Sequence, residues 1–373
     1  MGAFSLYKVD IDQMCGLYIT TVFDRNTELL APIELGANLI PRFYRGGARI
    51  AAFRGLAQIG SHESEDWIAS TTHTRASEEI GLSRLDSGER LREVLEADPV
   101  SFLGKEHVAR FGTNPGLLVK LLDAGERLPV HCHPGRDFAQ QHLGSPYGKT
   151  EAWHVLRADP GARVYLGFRQ EIPPGELAEL VAEQPPGELL SRLNPLPVRE
   201  GDTIFVPAGV PHSIGEGLLI IEVQEPTDHS VILEWAGYEI DGATVGHLRL
   251  GFETALDAVD RTAWDARRLA QLRVVPRPGT SPCPVLPERA RDYFWLERIR
   301  PMPKTLLEPA FAVLVVTAGT GTLAWGATES CAVAAGQTYV IPHMCGPVSV
   351  SGDVEILRCL GPTSAHDQKE LVA

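Results

Sequence analysis

The 373 residues contain no pair of cysteines spaced C-x-x-C, no apolar run long enough for a bilayer and no block of basic residues. Each absence removes a class of protein. The six cysteines, Cys15, Cys132, Cys283, Cys331, Cys345 and Cys359, are scattered, so free thiols in a reducing cytoplasm are expected. A membrane helix needs about 18 consecutive apolar residues, and none is expected here. The opening MGAFSLYKVD has neither a charged n-region nor a long apolar stretch, so no signal peptide is expected. Asp plus Glu number 48 against 34 Lys plus Arg, a formal charge of −14. Such a chain is a poor holder of nucleic acid or anionic membrane, although a local basic pocket is compatible with it. Low-complexity segments are absent too.

Glycine and proline are plentiful, at 36 and 28, and hydrophobic content is 44%. A chain that turns often and can still fill a core is expected to be mainly β. LLVKLLDAGERLPVHCHP reads as strand, turn, strand, and AWHVL, ARVYLGF, TIFVPAG and GLLIIEVQE as further strands. SGERLREVLEADP has Leu91, Val94 and Leu95 at helical spacing, with Pro99 as its stop. Residues 174–193 are expected to form two short helices inserted between strands, and 265–273 another. A proline-rich stretch at 274–289 divides the chain into a first domain, 1–273, and a second, 290–373. GDTIFVPAG (201–209) and GQTYVIPHMCG (336–346) share one shape, so both domains are expected to be barrels of one type.

Two spaced blocks carry the chemistry. In Gly125-x5-His131-x-His133 the histidines alternate by two, so a strand would point both at one place. Glu151 follows after a loop. In Gly201-x5-Pro207-x-Gly209-x2-His212 a Pro/Gly turn sets another histidine at a strand start. Three imidazoles and one carboxylate suit Zn²⁺, Fe²⁺, Mn²⁺, Co²⁺ or Ni²⁺. Cys132 should face away, into the core. His142 and His154 lie near the cluster and outside the pattern. In the second domain His343 has no partner two residues away, so no metal is expected there.

These blocks resemble the cupin motifs, and a longer stretch resembles the type I mannose-6-phosphate isomerases. RGGARIAAFRG (45–55) resembles the family's opening strand pair, EDWIAS (65–70) its E-x-W segment, and PVHCHP with GKTEAWHVL its metal block. GDTIFVPAGVPHSIGEG and IEVQEPTD resemble the second ligand block and the strand after it. The resemblance implies two cupin (jelly-roll β-barrel) domains with a small helical insertion. It also implies one divalent ion, zinc first, on His131, His133, Glu151 and His212. His131 stands where the family usually has glutamine, which makes the site richer in nitrogen. Lys149 and Glu222 match a lysine and an acidic residue of the family's cleft, and they are the expected catalytic pair.

The implied reaction is aldose–ketose isomerisation of mannose 6-phosphate and fructose 6-phosphate, or of a closely related sugar, with Glu222 as base. One departure stands out. The family's T-D-x-x-x-R reads here Thr227-Asp228-His229-Ser230-Val231-Ile232. Isoleucine cannot replace a bidentate guanidinium. Arg249, Arg45 or Arg136 could supply the charge, the substrate could lack a phosphate, or the protein could be a non-catalytic, regulatory sugar-binding cupin. A metal-dependent oxygenase is a third class, and it usually keeps a three-ligand face with open positions.

Overall fold

The computed structural model describes residues 30–275 and 279–363. Cys15 lies outside them. Their strands form three antiparallel sheets. One has six strands, in the order Leu39–Ile40, Glu65–Ile68, Leu118–Ala124, Leu218–Gln224, Glu151–Ala158, Thr203–Val206. Another has five, in the order Val231–Ile232, His131–Cys132, His212–Ile214, Arg163–Phe168, Leu193–Pro197. From residue 118 onward the chain passes back and forth between these two sheets, the alternation of a jelly roll. One apolar cluster takes side chains from both, among them Leu122, Val155, Ile204, Leu166 and Ile214. Strands Leu118–Ala124 and Leu218–Gln224 are buried at every position. Their second face meets more protein, and the same cluster runs on into Leu95, Phe102, Val313 and Leu357.

The third sheet has eight strands and is built on two long ones, Ala312–Trp325 and Val348–Leu360. They pair along almost their whole length, with an irregularity between Val316 and Ala318. Strands Trp295–Ile299 and Thr338–Ile341 flank one end of this pair, and Lys304–Leu307 and Glu329–Ala334 the other. Both ends contribute to one separate core, with Leu314, Val316, Leu323, Val333, Val350 and Ile356. The chain is therefore mainly β. Its matching blocks fold alike: Thr203–Val206 and Thr338–Ile341 are four-residue strands, each preceded by a glycine with φ of 85° or 91°. Such a φ favours glycine.

Two short helices, Pro174–Glu183 and Glu188–Ser191, form the insertion, and Ala266–Ala270 the helix before the proline-rich stretch. One local expectation is corrected and one extended. RGGARIAAFRG does not open with a strand pair; Ala48–Arg54 is a helix. The Asp123 carboxylate accepts from the N–H groups of Gly47 and Arg49, both at 2.8 Å. A carboxylate at a helix start offsets its orphan donors, and this one arrives from a strand far along the chain. Pro99 ends one helix, Leu91–Ala97, and also starts the next, Pro99–Leu103. At a first helical position proline loses no hydrogen bond, and Asp98 accepts from Ser101 N to cap it. Among the described residues no helix is long and apolar enough to cross a membrane.

Candidate metal centre and the cavity beside it

The five-stranded sheet carries the imidazoles. His212 pairs directly with His131, and His131 pairs on its other side with Ile232. His133 follows just after the strand. The ligand-capable nitrogens of His131, His133 and His212 all lie within 4.8 Å of one another. Cys132 points away and is fully buried with Val130, Phe168 and Val231.

The six-stranded sheet brings the carboxylate. Glu151 opens strand Glu151–Ala158, with Oε2 3.1 Å from His133 Nε2 and Oε1 3.3 Å from His212 Nε2. Lys149 Nζ sits 2.9 Å from both Glu151 Oε2 and His133 Nε2. Glu222 Oε1 is 3.7 Å from Lys149 and 3.2 Å from Lys120. His142 packs at a tilt against Phe138 and His154 bonds Thr203 Oγ1, so neither joins the group.

Whether a cation fits can be read from the hydrogen bonds. Each histidine places Nδ1 2.8 Å from a backbone carbonyl: His131 on Pro129, His133 on His229, His212 on Val210. A carbonyl only accepts, so Nδ1 holds the proton and every Nε2 keeps a lone pair turned inward. Two such lone pairs, on His131 and His212, face each other at 3.0 Å, and neutral imidazoles in that tautomer cannot bond. Protonation does not relieve the clash. Burial drives all three ring pKa values down, that of His133 to about 3, and neighbouring Lys149 pushes each the same way. Burial alone would raise the Glu151 carboxyl, but Lys149 and the histidines hold it well below the ordinary carboxylate range. Three inward lone pairs and one anion fit a divalent ion of the imidazole-binding kind.

Next to this centre lies a cavity lined by Arg42, Tyr44, Glu65, Lys120 and Ile232, with His131, Lys149 and Glu222. Arg45 pairs with Glu126, and Arg136 with Glu225. Neither lines the cavity, nor does the exposed Arg249. The guanidinium present is that of Arg42, which the sequence reading passed over.

Glu65 was missed as a site residue too, although a signal existed. Glu65-Asp66-Trp67 and Glu151-Ala152-Trp153 are the same E-x-W unit. In each, the indole N–H donates to the carboxylate two residues back, at 2.6 Å and 3.0 Å. Residues two apart on a strand share a face, so both carboxylates are held toward the interior. Tyr44 Oη also donates to Glu65, at 2.5 Å.

Burial opposes the charge on Glu65, but Arg42 and Lys120 outweigh it and bring the pKa to about 2 from 4.5. A depressed carboxylate stabilises the fold above its unfolded pKa, and this is lost as pH falls toward the folded one. The interval corresponds to about 3 kcal/mol. Unfolding titrations from pH 5 down to pH 2 should therefore show Glu65→Gln losing about that much less stability than the parent. Equal acid sensitivity would contradict this assignment.

No protein-family model matches the chain. Curated relatives do. The mannose-6-phosphate isomerase of Streptococcus mutans is 33% identical over 187 residues, 49% of this chain and 54% of that protein. ManA, the mannose-6-phosphate isomerase of Bacillus subtilis, is 34% identical over 187 residues, with the same coverage. The sequence match thus spans about half the length of these relatives.

In fold the likeness is wider. The crystal structure of a mannose 6-phosphate isomerase from Bacillus subtilis superposes with a TM-score of 0.71, covering 88% of this chain and 99% of that one at 20% identity. A mannose 6-phosphate isomerase bound with zinc and yttrium gives 0.68, covering 90% and 100% at 16% identity. Over about half its length the chain is similar in sequence to mannose-6-phosphate isomerases, and over nearly nine tenths of it the fold is like that of solved ones.

Proposed function

We propose that this protein is a metal-dependent isomerase that interconverts mannose 6-phosphate and fructose 6-phosphate, or a closely related aldose–ketose pair, with Zn²⁺ on His131, His133, Glu151 and His212. The observation that carries it is the set of inward Nε2 lone pairs around the Glu151 carboxylate, opening on a cavity lined with lysines and carboxylates. A bound zinc ion would act as Lewis acid toward the sugar oxygens.

The chain's own residues divide the remaining work. Glu222 is the base that moves the proton between C2 and C1. Burial, and then Glu151, raise its pKa despite Lys149 and Lys120, which suits a carboxylate that must take up and return a proton. Its Oε1 is buried and makes no hydrogen bond, so a lone pair is free to receive that proton. Lys149 stays charged: burial lowers its pKa, but Glu151 and Glu222 raise it more. Its ammonium can hold a substrate oxygen. It also stands on two of the atoms a metal needs, so the two cations compete. Lys149→Met should keep or tighten zinc binding while lowering turnover by about 100-fold or more. Zinc titration with parallel rate measurements checks this, and loss of zinc would contradict it.

Ile232 motivates a second reading, a sugar-binding cupin without catalysis. It is buried, opposite His131, where the resembling family carries arginine. Metal analysis followed by coupled assays on mannose 6-phosphate, fructose 6-phosphate, mannose and fructose separates the two. Binding without turnover on all four would favour the second.

A further inference from the structure

Three cations line the cavity, and they are not equivalent. Lys120 is 2% exposed, lies 3.2 Å from Glu222 and 3.6 Å from Glu65, and sits over the Trp67 ring. Lys149, 6% exposed, is bound to Glu151 and His133. Arg42 is the most open, at 19%, and its two carboxylate contacts are both long, at 3.3 Å and 3.4 Å. Its Nε lies 3.3 Å from Glu65 Oε1 but is not aligned to donate, so this buried N–H has no hydrogen-bond partner. Its NH2 reaches Asp228 only at 3.4 Å. A buried donor left unmet is costly. Since Nε itself is enclosed, the exposed fifth of the side chain is the rest of the guanidinium, held only by the long contact to Asp228, and that part a guest can meet.

The position of Arg42 is built. Its backbone N–H donates to His62 O at 2.8 Å, and its carbonyl lies 3.2 Å from His62 Nδ1. The side chain therefore enters the cavity from a segment fixed at both polar backbone groups. Ile232 lines the same cavity and supplies no charge. The neutral hydroxyls of a sugar do not require a guanidinium, whereas a phosphate monoester matches its planar donor fork.

We propose that Arg42 is the anion-recognising residue of this cavity, and that it selects a phosphorylated sugar over the free sugar from a strand-loop position unrelated to residue 232. This deepens the isomerase reading and rests on it. A purely structural ion pair with Glu65 and Asp228 is the competing account. Two substitutions separate them: Arg42→Lys retains the charge that Glu65 and Asp228 need and loses the fork, and Arg42→Gln loses both.

The test uses the whole 373-residue chain, loaded with zinc. The first readout is the ratio of kcat/KM for mannose 6-phosphate to that for mannose. The second is the Kd of inorganic phosphate, by calorimetry. Arg42→Gln should lower the ratio at least ~30-fold and weaken phosphate by ~10-fold or more, with Arg42→Lys between it and the parent. Adding Ile232→Arg to Arg42→Gln should restore part of the ratio. A structural role would lower both rates together and leave the ratio and the phosphate Kd unmoved, and that result overturns the proposal. If the parent turns over no sugar, the isomerase reading fails, and the phosphate titration alone decides: a Kd equal in the parent and Arg42→Gln, or no phosphate binding at all, overturns the assignment of Arg42.

Discussion

Glu222→Gln should lower kcat for the sugar isomerisation by about 10²- to 10⁴-fold while zinc content stays at the parental level. That range is the usual contribution of a positioned general base. The substitution keeps the shape of a side chain that pairs across the sheet with Lys120 on one side and Trp153 on the other. It removes the negative charge with which Glu222, whose Oε1 is buried without a hydrogen-bond partner, would take up the proton. Glu222 is not a metal ligand in this account, so metal analysis of the variant is an internal control. Stopped or coupled assays under saturating substrate would show the loss in kcat rather than in KM. A variant within about threefold of the parent would show that Glu222 is not the base.

His133→Ala should leave less than about a tenth of the parental zinc after dialysis, and turnover should fall with it. A metal site loses its affinity steeply when a ligand is removed, and loss of a supporting partner alone costs about 10- to 100-fold. The structure offers such a partner to test separately. Ser230 Oγ lies 3.3 Å from His133 Nδ1, beside the His229 carbonyl. Ser230→Ala should weaken zinc only mildly, since the carbonyl still fixes the tautomer. If His133→Ala retains full occupancy by elemental analysis, the metal is held elsewhere.

Much of this site is legible in sequence for a geometric reason. His131 and His133 are two apart, so strand periodicity predicts that they share a face, whereas Lys149 and Glu222 were legible only through the family resemblance. Turn glycines with positive φ mark where the matching strands Thr203–Val206 and Thr338–Ile341 begin. What was not legible depends on contacts between distant segments. Arg42 enters the cavity because its backbone bonds to His62, and Ala48–Arg54 is helical because Asp123 satisfies its first turn. Neither partner can be inferred from neighbours in the chain. Glu65 lies between these cases: its E-x-W spacing was visible, but its use required noticing that Glu151 sits in the same unit.

Under the proposed function a zinc-loaded chain moves a proton between C1 and C2 of a phosphorylated hexose. Proton NMR of the reconstituted protein with mannose 6-phosphate in D₂O tests it directly. The account predicts that fructose 6-phosphate appears and that deuterium enters the exchanging carbon position, both lost in Glu222→Gln. A protein that holds one zinc per chain, yet shows neither conversion nor deuterium incorporation, would contradict it.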